Sequence, residues 1–178
     1  SYVVFNYNAD TEPPFGSGEF FVAENQATVK IAREILESGQ ELGFHGYNHI
    51  SLTENKTKVN VALWPSQQTM EQSLQAARTE WIGLFGEHTL PYAYIAPNNI
   101  ISETGIAAVH SVFPSIKVMS FLRSGTGEET RSEFGPHPRF PEVYLIPRTS
   151  SGYPFTPAVR QLTVAAATGA GIWAHFIH

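Results

Sequence analysis

The sequence predicts an α/β fold built from mostly parallel strands. Three observations carry this. Short β-branched or aromatic runs alternate with amphipathic helical stretches along the whole chain. Capping residues stand where those helices should begin or end. With 178 residues, 42% of them hydrophobic, the chain is long enough to bury one sizeable core. A repeated strand, helix, strand order implies right-handed crossovers and parallel pairing, so an α/β barrel or an open sheet is expected.

The first strand is the run Tyr2 to Tyr7, and Glu12 to Gly18 follows as a loop. Asn25 to Ser38 is helical: Val29, Ala32, Ile35 and Leu36 make one face, and Gly39 takes the C-terminal cap position. A short apolar strand spans Glu41 to Phe44. The next helix runs from Ser66 to Phe85, opened by Pro65-Ser66, with Met70, Leu74, Ala77, Trp81, Leu84 and Phe85 as its apolar stripe. Tyr92 to Ile95 is a strand ending before Pro97, and Ser102 caps a helix that continues to Val112. Ile116 to Phe121 and Val143 to Ile146 are strands. Between them Arg123 to Pro141 is a long loop rich in Gly and Pro, of the length that is functional or mobile in compact domains. Thr156-Pro157 starts a helix to Thr168, and Gly171 to Ile177 is the last strand.

Composition excludes several classes of partner. A net charge of -5 and a pI near 5.8 argue against nucleic acid, which is met by a basic face. No apolar run approaches the roughly 18 residues of a membrane span. Without cysteine there is neither a disulfide nor a thiolate metal site.

The segment GQELGFHGYNHISL, residues 39 to 52, carries the chemistry. His45 and His49 leave the C-terminal end of a strand, where α/β enzymes place their active groups. A helical turn after the strand would put both imidazoles on one face, able to share an ion. Neutral imidazole suits zinc, cobalt or nickel. The competing reading is two surface histidines satisfied by their neighbours. Asn98 and Asn99 follow another strand end and could donate to a substrate carbonyl, or simply form a turn. Tyr47 and Trp64 could stack on sugar rings or pack. His175 and His178 lie at the end of the last strand, on opposite faces if it is regular, so one of the two is expected in the site. His88 and His110 read as structural, and His137 as a solvated loop residue.

These pieces, in this order, resemble the polysaccharide deacetylases of carbohydrate esterase family four. GQELGFHGYNHISL looks like their second motif, Gly-His-Glu-Ile-Gly-x-His-(Ser/Thr)-x-x-His-x-x-Leu. Gly39, Glu41, Gly43, His45, His49 and Leu52 match in register, and Gly46 replaces the usual Ser or Thr. The helix to Phe85, then Gly86, then Tyr92-Ala-Tyr-Ile-Ala-Pro-Asn-Asn resembles the next stretch, where the family has Arg-Pro-Pro-Tyr. GIWAHFIH resembles the last motif, a strand ending in a catalytic His. The resemblance implies a distorted, here incomplete, (β/α) barrel of mostly parallel strands with a groove for an N-acetylated glycan. It implies a divalent metal, zinc foremost, on His45 and His49. It assigns the acid that protonates the leaving amine to His178, with His175 as second candidate. It also suggests a bacterial, exported protein of the periplasm or cell surface.

Two departures from the family stand out. Its Asp-Asp pair, one general base and one metal ligand at the end of the first strand, occurs nowhere here. Residues 2 to 7 resemble the strand that follows that motif, so the expectation is one deacetylase-like domain, residues 1–178, belonging to a longer polypeptide. Asp10 could otherwise supply a carboxylate. The Arg of the third motif is absent too, leaving its role to Arg123, Arg131 or Arg148. The alternatives are a non-catalytic module that binds carbohydrate or supports a larger protein, and another metal-dependent amidase on a related barrel.

Overall fold

A computed structural model describes residues 1–16, 21–55, 62–124, 133–148, 150–151, 156–167, 169 and 174–176. A mostly parallel six-stranded sheet organises them. Its strands, in spatial order, are β1 (Tyr2–Val3), β2 (Gly43–Phe44), β3 (Ala93–Ile95), β5 (Val118–Ser120), β8 (Tyr144–Leu145) and β7 (Gly135–Pro136). The first five pair in parallel and only β7 runs antiparallel, against β8. The sheet stays open. Two smaller parallel pairs join β4 (Ile100–Ile101) to β6 (Arg123–Ser124) and β9 (Ser150–Ser151) to β10 (His175–Phe176).

Four α-helices connect these strands: α1 (Gln26–Glu37), α2 (Gln67–Phe85), α3 (Glu103–Val112) and α4 (Thr156–Ala167). Each begins within one residue of its expected start. Local chemistry explains why. The Asn25 side chain accepts from Thr28 N (3.0 Å), Ser66 and Thr69 make a reciprocal capping box, and Ser102 Oγ accepts from Gly105 N (3.0 Å). Gly39 ends the first helical segment with φ 78°, the left-handed cap its position predicts.

The expectation for the last strand needs correction. Rather than joining the main sheet, β10 pairs with β9, in the register His175 with Ser150. Two serines give no β-branched or apolar signal, so β9 was invisible in the sequence. Residues 171–173 and 177–178 of that predicted segment lie outside the described residues. The long loop after Arg123 also contains structure, the edge strand β7.

The core is aromatic. Phe44 sits among Phe5, Trp81, Tyr94 and Phe113, with ring centroids 4.7–6.4 Å apart. Trp81, fully buried on α2, satisfies its indole N–H on Thr89 O (3.0 Å) and Oγ1 (3.1 Å). Helices α2 and α3 pack together on this side. The N-terminus of α3 is pressed against Leu52, whose carbonyl accepts from Ser102 N (2.9 Å). Glu54 stands over the same end. Burial pushes its carboxyl up, yet hydrogen bonds from Ser102, its own backbone and Thr104 outweigh that and leave its pKa below the usual range. Among the described residues no helix is long and apolar enough to cross a membrane.

Tyr94 is an exception to this economy. Only 1% exposed, its hydroxyl has no hydrogen-bond partner among the described residues, and burial raises its pKa. An unpaired buried hydroxyl costs about 1–3 kcal/mol. Tyr94→Phe is therefore expected to stabilise the fold by about 1 kcal/mol in urea denaturation. A loss of stability would show that the hydroxyl is satisfied.

Candidate functional site

The site is built where β2 ends. Phe44 faces Trp81 and Phe113, so by strand alternation His45 turns to the opposite side of the sheet. Its backbone N–H donates to Val3 O (2.8 Å), which ties it to β1. Its ring Nδ1 donates to Ile95 O at the end of β3 (2.8 Å). A carbonyl only accepts, so Nδ1 carries the proton and Nε2 keeps its lone pair.

His45 and His49 come together as their spacing suggests, though by another route. The segment after β2 is not helical. Gly46 reverses it with φ 98°, and the two rings meet at 4.9 Å with planes 63° apart. A Cβ on residue 46 would lie 2.7 Å from Asn48 O. That close approach gives a physical reason for glycine where the resembled family has Ser or Thr.

The strand beside the histidines is β1, and it runs on into Asn6-Tyr7-Asn8 and Asp10. Asn6 is fully buried, and neither atom of its amide is hydrogen-bonded among the described residues. Burial raises the pKa of the neighbouring Tyr47 hydroxyl. Asn48 ties the histidine loop to this segment: its Nδ2 donates to Asn8 Oδ1 (2.9 Å) and Asp10 O (2.8 Å). No group of three His, Asp or Glu able to hold a metal occurs among the described residues. The two imidazoles lie side by side, and the described residues bring no third His, Asp or Glu to them.

Asn98 and Asn99 stand close by, since Pro97 Cγ lies 3.5 Å from where a Cβ on Gly46 would be. Both adopt left-handed backbone, φ 55° and 59°. Asn98 Nδ2 donates to Ser51 Oγ (3.3 Å), so its amide presently serves the turn. Of the two readings open for Trp64 and Tyr47, stacking on sugar or packing, the structure shows packing. Trp64 is 2% exposed, its indole N–H on Ser51 O (3.0 Å), and Tyr47 is 6% exposed against Phe15. Both rings are core. His137 departs from expectation: it is buried, accepts from Arg139 N and Phe140 N at Nδ1, and stacks on Phe140. The glycine-rich sequence around it hid that role.

Two solvent-exposed aromatic residues flank the histidine pair, on and beyond β1. Tyr2 lies 4.6 Å from the His45 ring, and Tyr7 stacks on His49 at 6.1 Å with planes 16° apart. His175 stands on β10, while His178 and Arg131 lie outside the described residues.

Residues 1–178 match the family described as "Uncharacterised protein conserved in bacteria (DUF2194)". No curated protein matches the chain. Its fold is similar to the crystal structure of a "putative polysaccharide deacetylase" from Mycobacterium smegmatis, with a TM-score of 0.53 and 17% identity. The match covers 85% of this chain and 52% of that one, so the chain spans about half the length of the Mycobacterium smegmatis protein. At this identity the likeness is one of fold.

Proposed function

The chain belongs to the bacterial DUF2194 family, and we propose that its site removes N-acetyl groups from a polysaccharide with a divalent metal held by His45 and His49. One observation carries the reading: two adjacent imidazoles at the C-terminal end of a parallel strand, one of them oriented by its Nδ1–H on Ile95 O. The second-motif resemblance and the fold neighbour's description point the same way.

A divalent ion bound there would polarise an amide carbonyl and make water more acidic. Zinc is the first candidate, with cobalt or nickel as alternatives, since imidazole suits all three. The chain's own part is orientation and proton transfer. His45 is held by β1 and β3, so its ring has one setting. Asn98, beside the loop, is the candidate donor to a substrate carbonyl, with Asn99 next to it. His178, with His175 as second candidate, would give a proton to the leaving amine, a task suited to imidazole near neutrality. The setting we propose is a deacetylase-like domain of a longer, exported polypeptide.

A specific observation favours a second reading. Beside the histidines the chain offers Asn6, Tyr7 and Asn8 rather than a pair of carboxylates. An amide is no general base. The same groove would then bind a glycan without cleaving it.

Metal content and acetate release separate the two. Zinc should be retained by the full-length protein and fall at least about tenfold in His45→Ala and His49→Ala. Acetate should be released from N-acetylated oligosaccharides. Equal metal in all three proteins would refute the metal site. Metal with no acetate from any glycan would make the binding module the better account.

A further inference from the structure

We propose that Tyr7 is the platform on which a sugar ring of the substrate stacks, at one end of an aromatic strip that selects a polysaccharide chain over a small amide. The inference rests on the reading of this site as a glycan site. Four rings form the strip: Tyr2 against His45 (4.6 Å), His45 against His49 (4.9 Å) and His49 against Tyr7 (6.1 Å). The imidazoles at its centre are buried or half-buried, while Tyr2 is 38% and Tyr7 60% exposed. Phe5, two residues before Tyr7, is 2% exposed; β1 ends at Val3, so beyond the strand the chain turns one ring inward and the other outward.

Tyr7 is presented on rigid backbone. Asn6 just before it is fully buried, donates its N–H to Tyr47 O (2.8 Å) and bridges both Asn48 and Phe21. A ring anchored this way loses little freedom when a ligand packs on it. The nearly parallel His49 ring backs one side of Tyr7. A pyranose presents one face of C–H groups, and such a face suits the electron-rich surface of a tyrosine ring. The strip runs over three ring-to-ring steps, of 4.6, 4.9 and 6.1 Å, with an exposed tyrosine on each side of the histidine pair, so it offers more than one ring for a chain of sugars to meet. Tyr47 and Trp64, the other aromatic residues near the site, are buried and offer no such face.

Calorimetric titration with N-acetylglucosamine oligomers and with the single sugar tests the proposal on the full-length protein, Tyr7→Phe and Tyr7→Ala. Oligomers should bind the unmodified protein more tightly than the monomer. Tyr7→Phe keeps the ring and should stay within about twofold, whereas Tyr7→Ala should weaken oligomer binding about tenfold. Metal content and the thermal midpoint should not change, since an exposed ring holds neither the ion nor the core. If Tyr7→Ala binds oligomers as the unmodified protein does, the platform is overturned and the glycan reading stands. If the unmodified protein binds no oligomer yet releases acetate from a small amide, the glycan reading itself falls and the platform with it.

Discussion

Gly105→Ala should cost the protein about 3 kcal/mol, a large share of what holds a domain of this size together. A Cβ there would lie 2.2 Å from Leu52 O, 2.8 Å from Leu52 Cβ and 2.8 Å from Ile101 Cγ1. The first contact is with backbone, so no rotamer change relieves it. Leu52 O is itself engaged, accepting from Ser102 N (2.9 Å) and Ser102 Oγ (3.3 Å), so moving it breaks the cap of α3. Urea unfolding measures the loss through its midpoint. A change below about 0.5 kcal/mol would mean that α3 sits further from Leu52 than described.

The second large effect is expected at Gly46. Gly46→Ser installs the residue usual in the family the sequence resembles, yet it should damage the site. Its backbone is left-handed at φ 98°, and the new Cβ would meet Asn48 O at 2.7 Å. Strain of this kind costs about 1–3 kcal/mol. It falls on the loop that sets the 4.9 Å approach of the two imidazoles. The expected result is a thermal midpoint several degrees lower and zinc retention reduced about tenfold in the full-length protein. Full zinc retention with an unchanged midpoint would show that the loop relaxes freely.

Most of the architecture was readable in the residues, for identifiable reasons. The helices announced themselves because Asn25, Ser66 and Ser102 do locally what their chemistry suggests. The apolar strands were found, with longer bounds than observed, because an unbroken hydrophobic run marks a strand without marking its ends. Ser150–Ser151 pairs with β10, and two serines leave no trace of a strand in side-chain type.

At the site, spacing, position after a strand and the motif resemblance brought His45 and His49 to notice, but none of them revealed the turn. The helical route and the Gly46 reversal both end with the rings adjacent. Which aromatic residues face solvent was not readable at all. Trp64 is core because its indole finds Ser51 O, a partner thirteen residues back. Tyr7 is exposed because the paired strand ends early, whereas its run of aromatic and β-branched neighbours suggests burial. His137 is buried by backbone donors two and three residues ahead, which composition does not show.

The order of strands in the main sheet bears on how the chain assembles. From β1 through β2, β3 and β5 to β8, spatial order follows chain order. Each strand can therefore dock on one made before it, and no early strand waits exposed for a distant partner. Only β7 must wait, for β8. From β1 to β5 folding can proceed one strand–helix unit at a time. Assembly also has a stop. The strand that terminates the series is two residues long and ends in Pro136, which has no N–H to offer a newcomer. Along that edge one ring on one nitrogen removes a donor that another strand would use.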